Sequence, residues 1–294
     1  MDPTKLAVGT GAAILVASGG YGVSTLLSGG MPSFKTLKDD PKFGNNYSDE
    51  SKVGKVYGYF LVAPYGSRGN EANSNQKESN NEEWWKWSYA RWKADFKDKA
   101  KKDNLSNEFK DDNKVGSAFS ITAATTGAKP LNQVCEDVYK KKNKDEVTPD
   151  TNASSDKSKL SRDMWKYCSS LGTLPEFLKG TGYGSGTFGV EQTHKDKAVA
   201  TKGYGKSSSN DEFWRLRNDE FFGSNGKEGT GKDATETGIF KTLYDKKRAN
   251  QITDNDTVKN TCEQIYSRQA NSKESVPKIK DEYIKKFCYL TPES

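Results

Sequence analysis

The apolar positions of this chain form one long uncharged run, followed by short clusters at helical spacing. From Leu6 to Leu27 the sequence reads LAVGTGAAILVASGGYGVSTLL, with no charged residue. A helix of that length would extend roughly 33 Å at about 1.5 Å per residue, enough to cross a hydrocarbon core. Its glycines weaken any helix in water but are tolerated in membrane helices, where small residues allow close packing. Three uses fit the segment: an uncleaved anchor, a cleaved secretory signal ending near VAS, and a buried soluble helix. Length and glycine content favour the anchor, and the weak charge ahead of the run, with Lys5 offset by Asp2, argues against a signal. The short segment preceding it fits export of the long C-terminal part.

Beyond the run, the pattern turns to period 3.6. In SNNEEWWKWSYARWKADFKDKAKK the residues Trp85, Tyr89, Trp92 and Phe96 fall at i, i+4, i+7 and i+11, one face of a helix. Asn80 stands three residues before Glu83, and Ser209 three before Glu212, each a near capping box. Cys135, Val138 and Tyr139 share a face, as do Cys262, Ile265 and Tyr266. Leu160, Met164 and Cys168 form another, echoed by Ile284 and Cys288. Polar, proline-marked breaks, DEVTPDTNASS and ANSKESVP, separate the cysteines of each pair. GTGYGSGTFG and GSNGKEGTGKD read as glycine-rich loops or linkers.

These clusters occur twice in the same order. VAPYGS at Val62 matches VATKGYGKS at Val199, NEEWWKW matches NDEFWRL, VCEDVY matches TCEQIY, and MWKYCSSLGTLPE matches IKKFCYLTPE. The separation between copies shrinks from 137 residues at the valines to 117 at Pro175 and Pro292, the drift expected of duplication followed by loop deletions. Two copies make a tandem pair rather than a solenoid. The expected fold class is therefore mainly α: an N-terminal membrane helix, then two duplicated small helical units with long polar and Gly-rich loops. The boundaries are a segment over 1–30, a linker over 31–44, one unit over 45–178 and a second over 179–294.

Composition limits how large the cores of those units can be. Only 32% of the 294 residues are hydrophobic, and 13 of these lie in the Leu6–Leu27 run. The 46 basic and 40 acidic residues interleave, which reads as a solvated surface before it reads as a nucleic-acid footprint.

With so little apolar material, the four cysteines matter. In each pair the midpoint between the two cysteines falls in the polar break, so both partners lie level in an antiparallel helical hairpin. That placement suits cross-helix disulfides, Cys135 with Cys168 and Cys262 with Cys288, if their Cα atoms come within about 7 Å. The alternatives are four small buried thiols and, with less support, zinc, for which the short Cys-x2-4-Cys spacing is missing.

No arrangement of residues announces catalysis. GSGTFGV followed by VATK imitates a kinase glycine loop and strand lysine, but no His-Arg-Asp or Asp-Phe-Gly follows, and the fragment belongs to the internal repeat. The single histidine, His194, sits in EQTHKDK, which reads as a solvated loop. No cofactor motif is present, and the reading is of a non-enzymatic protein. Two contact surfaces are suggested instead. Trp84 and Trp87 lie off the main aromatic stripe and would suit a membrane interface, a glycan or bases if exposed; the favoured reading is that the whole helix is core, as helical aromatic stripes usually are. Lys140, Lys141 and Lys142 end the Cys135 helix and could meet phosphates, although cations at a helix C-terminus are ordinary.

The apolar segment ending SGGYGVSTLLSGG, the EEWWKWSYARW block, VCEDVYKKK and DMWKYCSSLG recur in order over most of the chain. As a combined layout this resembles the large paralogous sets of uncharacterised membrane-anchored proteins of haemotropic mycoplasmas. The resemblance implies a membrane-anchored protein with a surface role, in host interaction or antigenic display. With the export expected from the short segment ahead of the run, it would be a single-pass protein of the cell membrane with its C-terminal part outside. Its partners would be the lipid bilayer, through Leu6–Leu27, and host surface molecules. An exported binding module for nucleic acid or anionic glycan is the alternative, with nucleic acid the less favoured.

Overall fold

The computed structural model describes residues 30–66, 80–180, 182–202, 210–223 and 228–293. The expected membrane segment, Leu6–Leu27, lies outside them. Among the described residues no helix is long and apolar enough to cross a membrane. The described chain is mainly helical and divides into two compact units, one ending at Ser169 and the other beginning at Ser170.

The first unit holds two single-turn helices, α1 (Phe43–Asn46) and α2 (Val53–Val56), then the long aromatic helix α3 (Glu82–Lys97) and the short α4 (Lys99–Lys102). Two brief parallel strands follow, β1 (Val115–Ser117) and β2 (Lys129–Pro130). The cysteine helices α5 (Leu131–Lys141) and α6 (Asp156–Tyr167) complete it. Its organising feature is an extended stretch at Leu61–Ala63 that other elements bond from several sides. Thr36 pairs with Val62 and Leu61 with Ser169 as antiparallel bridges. Val62 donates its N–H to the Cys168 carbonyl (3.0 Å), and Tyr139 of α5 donates its hydroxyl to the Val62 carbonyl (3.1 Å). The Trp85 indole donates to the Ala63 carbonyl (3.1 Å). Each is a backbone group buried away from water, so each bond avoids the penalty of an unpaired one.

The second unit holds α7 (Asp211–Phe222), α8 (Ile239–Arg248), α9 (Val258–Tyr266) and α10 (Asp281–Phe287). The same bonds surround Ala198–Ala200. Phe177 pairs with Val199 and Ala198 with Tyr289, and Val199 donates to the Cys288 carbonyl (2.9 Å). Tyr266 donates to the Val199 carbonyl (3.1 Å), and the Trp214 indole to the Ala200 carbonyl (3.0 Å). A close approach of backbone to ring also repeats. A Cβ on Gly54 would lie 2.5 Å from the Tyr47 ring, and one on Gly189 would overlap the ring of Tyr183.

Several sequence expectations are corrected here. Residues 31–44 are not a linker: Leu37 is fully buried, and Lys35 and Leu37 bond to Ala63 and Leu61. Residues 170–178 belong with the second half, where Leu178 donates to Ala198 and Ala200 to Glu176. The boundary was misplaced because these edge stretches carry no periodicity of their own. Within the supposed glycine linker, Phe188 and Gly189 are buried and Tyr183 packs edge-on against Tyr266, their centroids 6.0 Å apart.

The expected capping boxes are replaced by a different use of asparagine. Asn81 occupies the N-cap of α3, yet its side chain turns away from the helix. It accepts the Lys35 N–H (2.8 Å) and donates to the carbonyls of Lys35 (2.9 Å) and Ala63 (2.8 Å). Asn210 at the N-cap of α7 does the same with Glu176 (2.9 Å both ways) and Ala200 (2.8 Å). A carboxamide can both donate and accept, so it mimics a missing strand partner. Asn80 still accepts the Glu82 N–H (3.0 Å), and Ser209 lies outside the described residues.

Candidate functional site

The four cysteines meet in pairs. Cys135 lies inside α5 and Cys168 caps α6, with Cα atoms 5.6 Å apart; Cys262 lies inside α9 and Cys288 caps α10, 5.9 Å apart. All four are buried, and no free cysteine remains. The bonds sit where the extended stretch joins the helices, since the Cys168 carbonyl also accepts the Tyr139 hydroxyl (2.7 Å).

The glutamate following each first cysteine faces the loop after the extended stretch. Glu136 accepts the Tyr65 hydroxyl (2.7 Å) and pairs with Lys140 (2.6 Å). Glu263 accepts from Tyr183 (2.7 Å) and Thr201 and pairs with Lys202 (2.5 Å). Burial opposes ionisation of Glu263, but the bonds from Lys202, Thr201 and Tyr183 outweigh it and hold the carboxyl below its ordinary range. The Cys-Glu-x-x-Tyr repeat thus encodes three attachments around the extended stretch: a phenol bonded to the stretch itself, a disulfide to the cysteine whose carbonyl holds it, and a carboxylate to residues beside it.

Of the two expected contact surfaces, the aromatic one is largely withdrawn. Trp84 is fully buried, with Phe34 (6.3 Å), Trp85 (4.9 Å) and Trp87 (5.9 Å) around its ring. The cause is the stretch once read as linker, which lays Phe34 beside it. Trp87 is half-buried under the Arg91 guanidinium, 4.5 Å from its ring centre. The lysines remain on the surface as paired charges. Lys140 meets Glu136, Lys141 meets Asp137 (2.8 Å), and Lys142 meets Glu108 (3.0 Å) and Glu146 (3.4 Å).

His194 contradicts its expected place in a solvated loop. It is 1% exposed, with Nδ1 2.9 Å from the Tyr289 hydroxyl and Nε2 3.4 Å from Glu191. The flanking charges hid it, because Lys195 and Asp196 belong to a turn that directs the imidazole inward against Phe188. Burial lowers its pKa from the ordinary 6.5, opposed by Glu191 and Asp281 and assisted by Lys273 and Lys285. Above pH about 6.5 neither folded nor unfolded chain carries that proton; below it the unfolded chain takes it up first, so stability falls. As pH falls below about 6.5, unit 2 is expected to lose at most about 1.4 kcal/mol per pH unit through this group, until the folded chain takes up the proton as well. Urea midpoints should show that slope in the wild type and a flatter one in His194→Gln. Carboxylates such as Glu263 act lower, their contribution lost only as pH falls toward and through their depressed values.

A cleft of about 480 Å³ opens in unit 1 between α5 and the segment Asn107–Lys129. Val134 and Val138 form its floor, and Lys114, Lys129, Lys141 and Lys142 stand around it with Glu108 and Asp137. A smaller cleft of about 250 Å³ lies beside Tyr47, Tyr65 and Glu136. Among the described residues, no three His, Cys, Asp or Glu side chains converge as a metal site requires. No family model, no curated protein and no solved structure matches this chain.

Proposed function

We propose that this chain is an exported, membrane-anchored surface protein without enzymatic activity, displaying two disulfide-clasped helical units to molecules of a host. The observation that carries the reading is the pairing of all four cysteines, one bond closing each unit. Such bonds persist in oxidising compartments and are scarce in the cytosol. They also suit small cores, which need a cross-link to be stable. The uncharged run Leu6–Leu27 supplies the anchor. We infer further that the units arose by internal duplication. The repeated attachments of Tyr139 and Tyr266, Asn81 and Asn210, and Trp85 and Trp214 support descent from one ancestral unit.

The test is thiol accounting on intact native cells, using a membrane-impermeant alkylating reagent before and after reduction. Peptides cross-linked at Cys135–Cys168 and Cys262–Cys288, labelled from outside only after reduction, are the expected result. Four free thiols labelled only after lysis would place these units in a reducing compartment and overturn the reading.

A further inference from the structure

We propose that the lysine-rimmed cleft of unit 1 is a binding site for a tetrahedral oxyanion, the sulfate or phosphate monoester of a small polar molecule. This goes beyond the display reading and holds wherever the protein resides.

The first argument is that the cleft belongs to one unit's elaboration and not to the scaffold both units share. The bonds around Leu61–Ala63 recur around Ala198–Ala200, whereas the segment joining the aromatic helix to the cysteine helix differs. In unit 1 it forms β1, β2 and the loop between them; in unit 2 it forms α8. The fold needs a cover there, but not this particular one.

The second argument is how firmly the loop between the strands is held. Asn132 and Gln133, both buried in α5, bond to it, and Asn132 also donates to the Pro64 carbonyl (3.1 Å). Asn132 accepts the Ser120 N–H (3.2 Å) and donates to the Ser120 carbonyl (3.0 Å). Gln133 donates to the Thr122 carbonyl (2.7 Å) and accepts the Ala124 N–H (2.8 Å). A core helix that served packing alone would not bury two carboxamides, because each must find several partners to offset its desolvation. The bonds fall on Ser120–Ala124, beside the cleft, and steady the loop that contributes Gly127 to its lining.

Charge and shape then select the ligand. Asp137 is shared by Lys129 (2.5 Å) and Lys141 (2.8 Å), and Lys142 is met by Glu108 and Glu146. The exposed Lys114 has no carboxylate partner among the described residues. Even with Glu146 counted, positive charge remains in excess around an apolar floor. Ammonium groups bind oxyanions as point charges. The volume lies within the range of small-molecule sites. No aromatic ring lines the cleft, so base stacking, the usual grip on single-stranded nucleic acid, is not offered.

The test is calorimetric titration of the full chain at low salt with inorganic sulfate, glucose 6-sulfate and glucose 6-phosphate. At least one ester should bind, weakening as salt rises. Lys114→Gln and Lys129→Gln should each weaken it about tenfold, a charge-assisted bond's share, while Lys99→Gln on α4 leaves it unchanged. Preference for the sulfate ester assigns the ligand to glycans, and preference for the phosphate ester to phosphorylated metabolites. Lys114 is exposed, so its variant reports binding without a folding defect, which an unchanged melting temperature checks. If no ester binds, or if binding is indifferent to both cleft lysines, the proposal is overturned.

Discussion

Replacing Cys262 and Cys288 together by alanine lowers the stability of unit 2 by about 3–4 kcal/mol. That is the loop-closure entropy released to the unfolded chain when a cross-link spanning 26 residues is lost. The same change at Cys135 and Cys168 destabilises unit 1 by a similar amount, since lengthening the loop to 33 residues adds only about 0.2 kcal/mol. A domain of this size is stable by on the order of 5–15 kcal/mol, so either loss is a large fraction. The damage should be local. The Cys168 and Cys288 carbonyls hold the N–H groups of Val62 and Val199, so hydrogen exchange should accelerate first at those stretches. Reductant should lower the wild type to the level of the double variants and leave the variants unmoved. Unchanged urea midpoints in reductant would contradict the assignment of the clasps as stabilising.

Arg217→Met is expected to destabilise unit 2 by about 3–5 kcal/mol, the penalty for breaking a buried ion pair from one side. The guanidinium is 1% exposed on α7 and bonds Glu220 (2.5 Å), itself only 7% exposed. It also donates to the Tyr289 carbonyl (2.8 Å) and reaches that of Leu290 (3.3 Å), fastening the residues after Cys288 to the aromatic helix. Methionine keeps much of the volume but withdraws the guanidinium from the Glu220 carboxylate and from two carbonyls. Arg217→Met with Glu220→Met removes both members of the buried pair and should recover part of the loss. The carbonyls keep the recovery incomplete. Denaturant unfolding of the wild type, the single and the double variant measures both steps. A double variant as unstable as the single would place the cost in the carbonyls alone. In unit 1 the corresponding anchor is far smaller: Ser88 donates to the Tyr167 carbonyl (2.6 Å).

What the sequence by itself determined is what periodicity and pairing rules can express. The helices at Trp85–Phe96, Cys135–Tyr139 and Leu160–Met164 were visible because apolar side chains at helical spacing leave one buried face. The cysteine partners were visible because residues level across a hairpin turn come together whatever the rest of the chain does. The tertiary structure decided what has no period. The Leu61–Ala63 and Ala198–Ala200 stretches are too short to show alternation, and their partners come from far along the chain. Thus the roles of Lys35, Glu176, Asn81 and Asn210 emerged only in three dimensions. Burial of His194 was equally hidden, since neighbouring charges in sequence say nothing about which remote segment covers a side chain. The cleft depends on the same physics: four lysines scattered between Lys114 and Lys142 become one site only because the chain around the two short strands folds back against α5.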